Sequence, residues 1–141
     1  MNIDKTENSD IIQLDVHQNK SGKGRVFMDM FNDYLETKIA KLSAEVKNLE
    51  ENYRQDDAVF AKIKINVFDI CKTVFKVFLK TKPKASLYDE YIKKLDEFEK
   101  AWTDSAAKAK EFGDTKKSAA EEAKLFALAE IKEKFIELWG E

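Results

Sequence analysis

The sequence predicts an all-α protein: an antiparallel up-down-up-down four-helix bundle with a flexible N-terminal leader. Two observations carry that expectation. Four long segments repeat their apolar residues at spacings of three and four, the period that gathers side chains on one side of a helix. The composition agrees, because 43% of the 141 residues are hydrophobic and 37% charged, with only four Gly and one Pro. A β-protein would need many more turn formers. The length fits one domain with enough core to stand without disulfides or metal.

Residues 1–24 read as a flexible N-terminal arm, polar except for the patch Ile11, Ile12, Leu14, Val16, and closing in Ser21-Gly22-Lys23-Gly24. The alternative is that the patch docks on the bundle or pairs with a partner as a short strand. Its Gly-Lys is not a phosphate loop, since the earlier glycine and a preceding strand are missing. The bundle domain is expected over 25–141. Its first helix, about 25–54, carries Met28, Leu35, Leu42 and Leu49 on one seam and Ile39, Val46 and Tyr53 on the other. Asn32 sits on that second seam, where a polar residue fixes register.

Asp56 or Asp57 is the expected N-cap of the second helix, 57–81. This helix has the widest apolar stripe, Val59, Phe60, Ile63, Val67, Ile70, Cys71, Val74, Phe75, Phe78, wide enough to meet two neighbours. Pro83 ends it, because the residue before a proline is pushed out of the α region. Ser86 then caps the third helix, about 86–112, with Asp89 three residues on. Its inward residues are Tyr88, Tyr91, Leu95, Phe98, Trp102, Ala109 and Phe112. Gly113 closes that helix, and Asp114, or Ser118 with Glu121, opens the fourth. The fourth runs to Trp139 with Leu125, Leu128, Ile131, Phe135, Leu138 and Trp139 inward.

Near-equal helices of about 37–45 Å joined by short connections pack head to tail. The first and third connections then share one end, which should be a thin, polar, alanine-packed tip. The opposite end gathers nine of the sixteen aromatics: Phe27, Phe31, Tyr34, Phe75, Phe78, Tyr88, Tyr91, Phe135 and Trp139.

Catalysis is not expected. His17 is the single histidine and lies in the leader, so a Ser-His-Asp or Cys-His arrangement cannot close within one chain. The Glu-x-x-His pair of a di-iron bundle is missing. Paired carboxylates such as Glu50-Glu51 and Glu121-Glu122 read as exposed helix surface, without the burial that makes a useful acid or base. Cys71 reads as a small core residue. The sequence implies no metal and no cofactor.

Arginine is nearly absent, with Arg25 and Arg54 against 23 lysines, so the bidentate fork for phosphate and guanine is scarce. Sequence-specific nucleic-acid binding is therefore not expected. Lys72, Lys76 and Lys80 form a cationic row, in a stretch (58–84) holding seven lysines against Asp69. This row is a candidate contact for an anionic partner or membrane, unless Asp89, Glu90, Asp96, Glu97 and Glu99 of the next helix neutralise it.

The candidate interaction surface is the aromatic end: Phe27, Met30, Phe31, Tyr34, Phe78, Tyr88, Tyr91 and Trp139. The expected partner is protein, a second copy included, which makes the chain a non-catalytic interaction module that forms a homo-oligomer in the cytoplasm. Reversible attachment to a membrane or hydrophobic granule through amphipathic helices is the alternative. A small apolar ligand held at the aromatic end is a third reading.

Overall fold

Unbroken helical periodicity between a few turn formers becomes four helices in the computed structural model, which describes residues 19–140 and side chains from residue 26. They are α1 (Asn19–Glu51), α2 (Gln55–Thr81), α3 (Lys84–Glu111) and α4 (Thr115–Trp139). No strand occurs among the described residues. The expected arm lies outside them up to residue 18, as does its apolar patch, while 19–24 already belong to α1.

The chain divides into two compact units, 1–33 and 34–141. In the first, the Phe27 and Phe31 rings stack at 6.2 Å and Phe31 is fully buried. The second unit is the bundle. Its cross-helix contacts fix the directions. From Glu50–Lys62 to Glu36–Lys72, α1 numbers fall as α2 numbers rise, so these helices are antiparallel. Lys110–Glu122 and Tyr88–Trp139 give the same for α3 and α4. Lys64 over Phe126 and Phe75 against Phe135 make α2 and α4 parallel. The α1–α2 and α3–α4 turns therefore share one end, and up-down-up-down is the topology.

The two hairpins repeat each other at a shift of sixty residues. Leu35 and Leu95, Phe68 and Leu128, Cys71 and Ile131, Phe75 and Phe135 are each buried. The shift carries Lys72–Glu36 onto Lys132–Asp96 and Glu50–Lys62 onto Lys110–Glu122, the last with its charges reversed. Phe75 and Phe135 meet edge to face at 6.2 Å, where the hairpins face each other.

Both tip turns close by the same helix-ending hydrogen bonds. Tyr53 N–H donates to Glu50 O at 3.2 Å and Arg54 N–H to Leu49 O at 2.8 Å. Gly113 N–H donates to Lys110 O at 3.1 Å and Asp114 N–H to Ala109 O at 2.8 Å. Gly113 takes the left-handed backbone this ending requires, φ 73°, and so does Tyr53, φ 60°. Tyr53 is thus turned off its expected seam into solvent.

The helix starts also depart from expectation in detail. Helix α2 begins at Gln55 with Arg54 at the cap and no side-chain capping bond, so Asp56 and Asp57 lie in its first turn. Pro83 occupies the cap of α3, and Ser86 sits inside the helix donating to Pro83 O at 3.2 Å. Asp114 caps α4 as expected, accepting from Lys117 N–H at 3.0 Å.

Small residues fill the tip: Ala58, Ala61, Ala106, Ala109 and Ser118 are all buried. Glu121 is buried among them. Its Oε2 accepts from Ser105 Oγ at 3.1 Å and from Lys124 Nζ at 3.4 Å, and its Oε1 lies 2.9 Å from the same Nζ.

Candidate functional site

Helical spacing places Phe78, Tyr88, Tyr91 and Trp139 on faces that converge with Phe75 and Phe135. The result is one continuous ring cluster. Tyr91 and Phe135 centroids are 4.7 Å apart, Tyr88 stacks on Phe135 at 5.5 Å and lies tilted against Trp139 at 5.2 Å, and Phe78 meets Tyr91 edge-on at 6.3 Å. Such pairs contribute about 0.5–1.5 kcal/mol each beyond the area they bury. Tyr91 is fully buried, and its hydroxyl donates to Cys71 O at 2.8 Å.

Burial pushes the Cys71 thiol up to about 12 and raises Tyr91 well above the ordinary phenol range. A thiol held neutral in the core is a packing group and not a nucleophile. The Tyr34 ring lies 6.1 Å from that of Phe68, with Lys134 over it. Burial first, then the charges of Glu130, Glu133 and Glu137, raise its hydroxyl to about 12.

Of the eight aromatic-end candidates, Phe27, Phe31 and Tyr91 are buried; Tyr34, Phe78 and Tyr88 are half-buried; Met30 and Trp139 are exposed. The lysine row is split. Lys72 pairs with Glu36 of α1 at 3.2 Å, whereas Lys76 and Lys80 stand exposed without an ion pair among the described residues. Among the described residues no acid of α3 pairs with Lys72, Lys76 or Lys80, since Asp96 and Glu99 pair with Lys132 and Glu97 with Lys94, but Glu90 lies 3.8 Å from Lys82, which extends the row.

Sequence reasoning expected the alanine packing of the tip but missed its exposed rings. Tyr53 is 90% exposed and Phe112 81%, one on each turn, although both were expected inward. Phe126, on the outer side of α4, is 62% exposed beneath Lys64. What marks them is the sixty-residue shift, which burial and ion-pair register reveal and the letters alone do not. It sets Tyr53 opposite Gly113, which adopts the same backbone without strain. It also sets Phe112 opposite Asn52, whose side chain ties the turn to Asn48 O at 2.8 Å.

The turns also carry opposite charge. Glu50, Glu51, Asp56 and Asp57 surround Arg54, while Lys108, Lys110, Lys116 and Lys117 surround Glu111 and Asp114. Under the shift the sign reverses at 50/110, 54/114, 56/116 and 57/117.

Among the described residues no group of three His, Cys, Asp or Glu side chains is placed to hold a metal ion, and no helix is long and apolar enough to cross a membrane. No family model, no curated protein and no solved structure matches the chain.

Proposed function

We propose that the protein is a non-catalytic helical module acting through protein–protein association, with further copies of itself among its partners. What carries this reading is that large rings stand in water although the core of the 34–141 unit already holds Phe68, Phe75, Tyr91 and Phe135 at zero exposure. Scattered exposed apolar residues are ordinary on a protein surface. Two aromatics on neighbouring turns, both displacing residues that serve the turn better, are not scattered. Interfaces are enriched in such residues because a rigid ring buries much area for little lost rotamer freedom. Trp139 keeps the aromatic end of the 34–141 unit as a second candidate contact.

Light scattering behind a sizing column, run across a concentration series and after incubation with a cell extract, tests the reading. Concentration-dependent mass or a captured partner is the expected result. A chain that stays monomeric at about 1 mM and captures nothing would overturn it.

Attachment to an anionic membrane is a second reading, favoured by the unpaired Lys76 and Lys80 beside the exposed Val77 and Leu79 of α2. Basic residues near such a surface attract it over a Debye length. Flotation with phosphatidylserine vesicles at low salt is expected to recover the protein under this reading, and recovery no better than with neutral vesicles would end it.

A further inference from the structure

We infer that the tip is a self-complementary docking face whose occupant is the tip of a second copy of this chain, the acidic α1–α2 turn of each meeting the basic α3–α4 turn of the other. The inference rests on the association reading above and assigns its surface and partner.

Three choices at this end run against local structural preference. Tyr53 holds a left-handed backbone that a bulky L-residue rarely adopts, where the sister turn has Gly113. Phe112 projects into water where the sister turn has a bonding Asn52. Lys116 and Lys117 sit in the first turn of α4, at the positive end of the helix dipole, where the sister helix has Asp56 and Asp57. Sequences depart from local rules in this way at functional places.

At the tip, the charges already used inside the molecule stay within their own hairpins: Glu50–Lys62, Arg54–Asp57 and Lys110–Glu122. The side chains of Glu51, Asp56, Lys108, Lys116 and Lys117 make no ion pair among the described residues. They fall into two groups of opposite sign on turns at the same end of the bundle, and each group brackets an exposed ring in the sequence, Tyr53 in the acidic turn and Phe112 in the basic one.

Symmetry then selects the partner. A twofold axis crossing the bundle direction, and perpendicular to the line joining the turns, sets acid on base twice over. The other crossing axis sets like on like. An isologous contact needs such a self-complementary patch. With helices about 10 Å across, a two-by-two end covers about 20 by 20 Å, or roughly 400 Å² per copy. That is below the roughly 800 Å² per partner of a stable complex, so the dimer is weak and its electrostatic part is large.

The test is sedimentation velocity of the full chain at about 50 and 500 mM salt, with three variants. E51K/D56K makes both turns basic, and K116E/K117E makes both acidic; none of these four side chains has an ion pair to lose. Y53G/F112N copies each turn's sister residue and removes both rings.

Expected is reversible dimerisation that weakens about tenfold or more at the higher salt, where screening shortens the reach of charge. Each charge variant alone is expected to be monomeric, and their equimolar mixture to dimerise again. Y53G/F112N should lose the dimer while keeping its melting temperature or raising it. That loss separates an interface role from a folding defect.

Dimerisation that all three variants retain would overturn this face but leave the association reading standing. A wild-type chain monomeric at both salts, or charge variants that do not recover on mixing, would overturn it as well. So would wild-type protein that leaves its dimer unformed and binds phosphatidylserine vesicles through Lys116 and Lys117.

Discussion

At the scale of single residues, the same backbone shape is met twice with different consequences. Gly113 has nothing within 4 Å of where a Cβ would stand, so replacing it with alanine meets no clash and only the positive φ resists. Gly113→Ala should cost about 1 kcal/mol and Tyr53→Gly should add about 0.5–1 kcal/mol, the strain relieved exceeding the entropy that glycine loses. Urea midpoints at unchanged slope measure both. The buried Cys71–Tyr91 pair sets a pH dependence. The fold holds the Cys71 thiol at about 12 against 9.0 for an unperturbed thiol, and shifts Tyr91 upward from 10.0. The folded chain thus keeps protons that the unfolded chain sheds. Stability is intact below pH 9 and falls as pH climbs from about 9 toward 12. Urea midpoints at pH 7, 9 and 10.5 should drop only in that upper window. A thiol reagent at neutral pH should label Cys71 no faster than the chain unfolds.

At the scale of elements, the helices were legible because their periodicity is long and continuous, and Pro83 and Gly113 punctuate it without ambiguity. The ends were less so. Local turn hydrogen bonds let α2 and α3 start at Gln55 and Lys84, ahead of their supposed caps, leaving Asp56, Asp57 and Ser86 inside the first turn. Tyr53 and Phe112 continued the heptad arithmetic, but the turn geometry had already rotated them out of it. The hairpin repeat was invisible as letters, since few residues match beyond Leu35/Leu95, Lys64/Lys124, Lys72/Lys132 and Phe75/Phe135. It exists in burial and in ion-pair register. The repeat also judges the buried Glu121, whose sister is the buried Ala61. Buried ion pairs often contribute little net stability, and Lys124 keeps about a third of its side chain in water, so removing its partner strands no charge. Glu121→Ala should therefore change stability by less than about 1 kcal/mol. Leu95→Ala, at an aliphatic site of zero exposure on α3, should cost about 2–5 kcal/mol. Thermal unfolding of the two variants side by side decides the point.

At the scale of the whole bundle, the two ends of the 34–141 unit are held unequally. Around Phe75, Tyr91 and Phe135 the packing is ring on ring with no water contact. Toward the tip the buried residues are alanines and a serine, which remove far less apolar area each. The α1 seam there, Ile39, Leu42, Val46 and Leu49, is covered only in part, while Leu128, Ile131, Phe135 and Leu138 of α4 are buried. Local opening costs least where few apolar contacts must be broken. Amides of 42–49 should therefore exchange through openings whose free energy lies clearly below that of amides 128–138, which should approach global unfolding. Hydrogen exchange followed at two pH values, to confirm that closing outpaces exchange, measures the difference. Uniform protection along α1 and α4 would contradict it. A tip that opens this readily also suits a weak docking face, because covering the α1–α2 turn with a second copy should slow exchange at 48–54 in proportion to the dimer fraction. The slowing should vanish at high salt with the dimer, while protection at 128–138 stays as it was.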